Sequence, residues 1–119
     1  MTDSRCWIDL QEDLELANRL RAIPERNIDP ARIYLSYRYL WINDLRSWAV
    51  RKGLPIEYPD MGWIVDQVTV DKQLLIEFLD EMLGAERAEP NPGEIDIVRA
   101  MVREYGNENC RYHILADEY

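Results

Sequence analysis

The fold of this chain depends most on the stretch at residues 29–53, DPARIYLSYRYLWINDLRSWAVRKG. Asp29 followed by Pro30 combines an N-cap acceptor with a proline at the first helical position, which is a pattern of helix starts. No helix breaker lies between Pro30 and Lys52, and Gly53 is suited to the left-handed conformation that ends many helices. The pattern therefore predicts one helix over 30–52, long enough to cross the whole domain.

A competing strand pattern lies inside the same stretch, at residues 33–42. Strand-forming residues alternate there, and a strand would place five of them on one face: Ile33, Leu35, Tyr37, Tyr39 and Trp41. A helix would instead align a core stripe at steps of three and four: Tyr34, Tyr37, Trp41, Leu45 and Trp48. The Asp29-Pro30 cap favours the helix, and the strand stays open as the alternative.

The N-terminal region predicts another helix. Asp9 is followed three residues later by Glu12, which is the spacing of a capping box. The helix would run from Asp9 towards Pro24, since proline cannot continue a helix. Its inward stripe would consist of Leu10, Leu14, Ala17 and either Leu20 or Arg21.

Two more helices are predicted in the C-terminal half. Asp71 or Thr69 caps a helix that runs to Leu83 and stops at the glycine that follows. An Asn-Pro pair repeats the pattern of cap plus proline, and it opens a helix that runs from Pro92 to Tyr105. Both segments carry apolar residues at helical spacing, so each has one face suited to a core.

The complete pattern predicts a mainly α fold with about four helices and a minor β component of one to three short strands, with α+β as the close alternative. The strand-forming stretches are residues 63–68, which could instead lead into the next helix, and residues 110–115. With 119 residues, 47% of them hydrophobic and 31% charged, the chain has the size and balance of one globular domain, 1–119. No apolar run reaches the roughly 20 residues of a membrane span, and no secretory pattern opens the sequence, so we expect a cytoplasmic protein.

The sequence carries no pattern typical of a catalytic or cofactor site. His113 is the only histidine, and a structural zinc site needs about four ligands, so we expect no bound metal. The five glycines form neither a dinucleotide fingerprint nor a P-loop, so we expect no nucleotide cofactor. Cys6 and Cys110 are expected to be free thiols, and neither lies in a nucleophile elbow. We favour a non-catalytic protein, with a small enzyme whose active-site residues are dispersed as the alternative.

The negative charge is concentrated in the C-terminal half. Residues 1–60 carry 9 Lys/Arg and 10 Asp/Glu, whereas residues 61–119 carry 5 and 13, which makes their net charges −1 and −8. Such a field repels nucleic-acid phosphates and attracts a basic protein surface, although the same charges could serve solubility alone. The predicted acidic binding face consists of Glu77, Asp80, Glu81, Glu86, Glu89, Asp96 and Glu104.

A second candidate surface is an aromatic loop. Seven of the twelve aromatic residues lie within residues 34–63, and Tyr and Trp often anchor protein interfaces. The aromatic residues of the helical stripe are assigned to the core because each ring buries a large apolar area. The loop residues left for binding are Tyr58, Met61 and Trp63.

These observations lead us to expect a non-catalytic protein-binding domain, a small acidic inhibitor of the immunity-protein, antitoxin or host-defence-inhibitor type. Its partner would be another protein with a basic surface, with no direct contact to nucleic acid and no membrane association. Besides the small enzyme, the remaining alternative is a homo-oligomeric structural subunit, such as a homodimer formed through the aromatic loop.

Overall fold

The computed structural model describes residues 4–10, 12–23, 32–36, 40–58, 64–84 and 92–118. Within these ranges only the backbone is described for residues 4–6, 32–36, 40–43, 64–65, 92–94 and 117–118. In chain order, the elements are β1 (Ser4–Asp9), α1 (Leu14–Arg21), β2 (Arg32–Ser36), α2 (Leu40–Lys52), β3 (Ile64–Val70), α3 (Lys72–Gly84), α4 (Pro92–Tyr105) and β4 (Tyr112–Glu118).

The predicted combination of about four helices with a smaller β component is confirmed. The described strands form one sheet in the order β2-β1-β4-β3, and every neighbouring pair is antiparallel. The sheet therefore has four strands, one more than the upper end of the predicted range, which makes α+β the closer description. Among the described ranges, no helix is both long enough and apolar enough to cross a bilayer.

One hydrophobic core joins the helices to one face of the sheet. The strands contribute residues that are two apart, as expected for one face of a strand: Ile8, Val68, Val70, Tyr112, Ile114 and Ala116. Each helix buries part of its own surface against them. Trp48 of α2 meets Phe78 of α3 edge to face, with the ring centroids 5.0 Å apart.

The helix predicted over 30–52 is wrong in its first half. Residues 32–36 form the edge strand β2, and the helix begins only at Leu40, so the strand alternative is right for 32–36 and the helix for 40–52. β2 pairs with β1 in the register Trp7 to Tyr34 and Ile8 to Ile33. This pairing between distant parts of the chain outweighs the local cap pattern. Asp29, Pro30 and the side chain of Trp41 lie outside the described part.

The N-terminal helix starts later than predicted. Asp9 ends the inner strand β1, so it is not a helix cap, and Asp13 takes that role by accepting a hydrogen bond from Leu16 N at 3.1 Å. Ala17 and Leu20 are buried as predicted and Leu16 is buried with them, whereas the side chain of Leu14, at the start of the helix, is 70% exposed. A strand between two others satisfies the backbone of residues 4–9, and the helix forms only after the following turn.

The helices and strands predicted for the C-terminal half are confirmed, with ends that differ by up to three residues. Asp71 Oδ1 accepts a hydrogen bond from Leu74 N at 2.9 Å and so caps α3. α4 runs from Pro92 to Tyr105, and the stretches at 63–68 and 110–115 fall largely within β3 and β4.

Candidate functional site

An open cleft lies beside α3, near the end of α4. Its volume is about 670 Å³, and its lining consists of Asp71, Lys72, Gln73, Ile76, Glu77, Asp80, Arg103 and Glu108. Four of these side chains are carboxylates and two are cations. The α3 members are spaced so that they lie on the side away from the buried residues Leu75, Phe78 and Leu79.

Ion pairs between α2 and α3 occupy two residues of the predicted acidic face. Glu77 Oε2 lies 3.1 Å from Lys52 Nζ, and Glu81 pairs with Arg51. All four side chains are at least one-third exposed, so water screens each pair. Part of the charge that the sequence offers to a partner is therefore balanced within the molecule.

Asp80 is the charged centre of the interface between α3 and α4. Arg99 donates to Asp80 Oδ1 at 2.9 Å and to Asp96 Oδ1 at 2.8 Å. Arg103 approaches Asp80 Oδ2 only to 3.9 Å, and its side chain is 62% exposed. The ion pair between Arg103 and Asp80 is therefore weak and easily exchanged.

Glu108 and Glu104 differ in their relation to the cleft. Glu108 lines it, whereas Glu104 is exposed on α4 and is not part of the lining. Neither carboxylate has an ion-pair partner within the described ranges. Glu86 and Glu89, also predicted for the acidic face, lie outside those ranges.

The loop that carries Glu108 is tied to the N-terminal part of the chain. Asp13, only 4% exposed, accepts hydrogen bonds at Oδ2 from Tyr112 Oη at 2.7 Å and from Asn107 N at 3.0 Å. Burial of the Tyr112 hydroxyl and its bond to Asp13 raise the pKa of Tyr112 well above its ordinary value of 10.0. Tyr112 therefore stays a hydrogen-bond donor at all neutral and mildly alkaline pH values.

Cys110 is a free thiol of intermediate exposure. Its thiol donates to the Glu12 carbonyl oxygen at 3.3 Å, and burial together with the charges of Asp13 and Glu12 raises the pKa of Cys110. The thiolate, which is the reactive form, is thereby disfavoured. Cys6 pairs with Ala116 in the sheet, and the four residue steps from Tyr112 to Ala116 span about 13 Å, which separates Cys6 from the end of β4 that Cys110 precedes.

His113 belongs to a row of polar side chains on the opposite face of the sheet. Its Nδ1 lies 3.0 Å from Thr69 Oγ1 and 3.3 Å from Gln67 Nε2, and its Nε2 lies 3.9 Å from Glu12 Oε1. Within the part of the chain that the structure describes, no group of three or more potential ligands could hold a metal ion. The row fits a role in joining β3 to β4.

Only part of the predicted aromatic loop is described. The ring of Tyr58 is 73% exposed, and the preceding Glu57 is held against β3 by two backbone hydrogen bonds with Gln67, at 2.8 and 2.9 Å. Met61 and Trp63 lie outside the described ranges. Tyr58 is thus presented to solvent next to an anchored backbone.

Sequence reasoning missed several residues that shape the site. Lys72, Arg103 and Glu108 were not expected in a cleft, because nothing local links the start of α3 to the end of α4. Asp13 could have been recognised as an N-cap, since an aspartate side chain at that position accepts a hydrogen bond from the backbone N–H three residues later, here Leu16 N. Its bond to Tyr112, 99 residues away, had none.

Comparisons with protein-family models, with curated proteins and with solved structures found no match to this chain. The candidate site is an open, polar cleft in which carboxylates outnumber cations.

Proposed function

We propose that this chain is a non-catalytic protein-binding domain, a small acidic inhibitor that occupies a basic surface of another protein. Inhibitors of the immunity-protein, antitoxin and host-defence type are the class it fits. The observation that carries the proposal is the cleft in which Asp71, Glu77, Asp80 and Glu108 surround one volume of about 670 Å³. Such a volume has room for several side chains of a partner.

Carboxylates arranged in this way suit arginine and lysine side chains. A carboxylate accepts two parallel hydrogen bonds from a guanidinium, and these charge-assisted bonds are about twice as strong as neutral ones. A negative surface also accelerates the encounter with a positive partner. An acidic domain can thereby block a basic surface without performing chemistry on it.

The internal ion pairs do not oppose this use of the cleft. Exposed pairs such as Glu77 with Lys52 contribute only about 0–1 kcal/mol each, so exchanging the internal cation for one from a partner costs little. Arg103 is the first candidate for exchange because it lies 3.9 Å from Asp80 and is mostly exposed. A cation from a partner can therefore replace an internal one in the cleft without unfolding a helix.

Tyr58 offers a second contact for the same function. It is the one member of the aromatic loop whose side chain is described, and it is 73% exposed. Tyrosine is among the residues that contribute most to protein interfaces. We propose it as an additional anchor, to be tested by Tyr58→Ala once a partner is identified.

The test compares two charge reversals on the full chain. Glu108→Lys changes a carboxylate in the cleft, and Glu104→Lys makes the same change on α4 outside it. A partner captured from the native host and identified by mass spectrometry would be titrated with the parent and both variants at several salt concentrations. A hexa-arginine peptide in low salt serves as a defined probe of the same chemistry.

We expect Glu108→Lys to weaken binding by about 0.4–2 kcal/mol, because it removes one exposed attraction and adds a repulsion of similar size. Glu104→Lys should have a clearly smaller effect, and the affinity of the parent should fall as salt rises. Equal effects of the two reversals would show that net charge acts without the cleft. Affinity that ignores salt and both reversals would refute the proposal.

A further inference from the structure

The loop between α4 and β4, residues 106–111, is held in place by Glu12 and Asp13. Glu12 Oε2 accepts a hydrogen bond from Arg111 N at 3.1 Å, and the Glu12 carbonyl accepts from the Cys110 thiol. Asp13 Oδ2 accepts from Asn107 N at 3.0 Å. The two acidic residues therefore hold the loop near both of its ends.

Glu108 lies between these two anchored ends. Within the loop, Asn107 Oδ1 accepts from Asn109 N at 2.8 Å, and the Asn107 carbonyl accepts from Cys110 N at 3.1 Å. Gly106 begins the loop in close contact with α4, where a Cβ would lie 2.5 Å from the Val102 carbonyl oxygen. The backbone on either side of Glu108 is thus determined by contacts, and so is the side of the cleft that Glu108 lines.

We infer that Glu12 is a positioning residue for the cleft: its carboxylate holds the loop at Arg111 and thereby sets where Glu108 meets a cationic ligand. This inference rests on the proposed function. Glu12 is not among the residues that line the cleft, so its influence on a ligand there passes through the loop. The relevant property of Glu12 is its acceptor oxygen, whereas for Glu108 it is the charge.

The experiment measures hexa-arginine binding to the full chain in low salt, by titration calorimetry. The variants are Glu12→Ala, Glu12→Gln, Glu108→Gln and the double variant of Glu12→Ala with Glu108→Gln. Glutamine keeps an oxygen that can accept from Arg111 N, so Glu12→Gln separates positioning from charge. Amide hydrogen exchange at Asn107 and Arg111, followed by NMR, reports the loop independently of any ligand.

We expect Glu12→Ala to weaken peptide binding about 1.5- to 5-fold, because it displaces Glu108, whose exposed charge contributes a factor in that range. The affinity of Glu12→Gln for the peptide should lie within about 1.5-fold of that of the parent. The double variant should bind the peptide no more weakly than Glu108→Gln, as expected of two residues that act through one contact. Exchange at Arg111 should accelerate in Glu12→Ala and recover in Glu12→Gln.

Three results would overturn the inference. They are unchanged exchange in Glu12→Ala, equal losses of affinity in Glu12→Ala and Glu12→Gln, or losses that multiply in the double variant. Failure of the proposed function looks different, because the parent chain would then not bind the peptide at all. In that case the positioning role falls with it, even though the exchange data would still report the contact between Glu12 and the loop.

Discussion

Replacing Tyr112 with phenylalanine removes one hydroxyl from the buried contact that joins the two ends of the chain. Tyr112 Oη donates to Asp13 Oδ2 at 2.7 Å and lies 3.1 Å from Asn107 N, while the residue itself is fully buried. Asp13 keeps its bonds from two backbone N–H groups in the variant. The change therefore tests one charge-assisted hydrogen bond without removing the helix cap.

The expected loss of stability near neutral pH is about 2 kcal/mol, since a hydrogen bond to a charged group contributes roughly 1.5–3 kcal/mol. The difference should shrink at high pH. The folded-state pKa of Tyr112 is raised above the unfolded value of about 10, so the unfolded chain loses this proton first as pH rises. Above about pH 10 the parent should then lose about 1.4 kcal/mol per pH unit from this group, and a phenylalanine cannot show that loss.

The assay is urea unfolding of the parent and of Tyr112→Phe between pH 7 and pH 11.5, followed by circular dichroism. Tyr58→Phe is the matched control, because it removes an exposed hydroxyl and should leave stability within about 0.5 kcal/mol. The stability curves of the parent and Tyr112→Phe should converge above pH 10. A loss below 0.5 kcal/mol at pH 7, or two parallel curves up to pH 11.5, would refute the reasoning.

Three further predictions concern the core, the loop and the thiol. Arg46→Met leaves the fully buried carboxylate of Asp66 without the guanidinium that lies 2.6 Å away. Urea unfolding should show a loss of about 3–5 kcal/mol in the free energy of unfolding. A loss below about 1 kcal/mol would show that water or another donor replaces the arginine. In thermal melts, Gly106→Ala should destabilise the fold by about 1–3 kcal/mol, because its Cβ would lie 2.5 Å from a backbone oxygen of α4. The control Gly84→Ala has open space around the new Cβ and should be neutral or stabilising. Cys110 should react with iodoacetamide at pH 8 more slowly in the folded chain than in urea, as measured by mass spectrometry, because its pKa is raised in the fold. Equal rates would contradict the raised pKa.

The elements of the C-terminal half follow from local sequence. A carboxylate at Asp71, a proline at the first position of α4 and a glycine at or just after the end of each helix depend on only a few neighbouring residues, so they can be identified without knowing the rest of the fold. The apolar spacing of α3 likewise identifies its buried face. The sequence also determines the charge asymmetry, and the helices that border the cleft lie in the acidic half of the chain.

Pairing between distant segments decided the rest of the fold. Residues 32–36 satisfy a local helix pattern, yet they become a strand because β1 offers them a complete antiparallel partner. Residues 4–9 likewise become an inner strand between β2 and β4, which moves the first helix start from Asp9 to Asp13. A cap and a periodicity describe only nearby residues, whereas a sheet gains its hydrogen bonds across the chain.

The candidate site shows the same division. Glu77 and Asp80 were recognisable as exposed acidic residues from their spacing on α3, but their pairing with Lys52 and Arg99 depends on how the helices pack. The cleft itself exists because α3, the end of α4 and the loop of Glu108 meet in space. That loop is held by residues 94–99 positions away, a distance over which no local pattern carries information, so only the tertiary structure could reveal it.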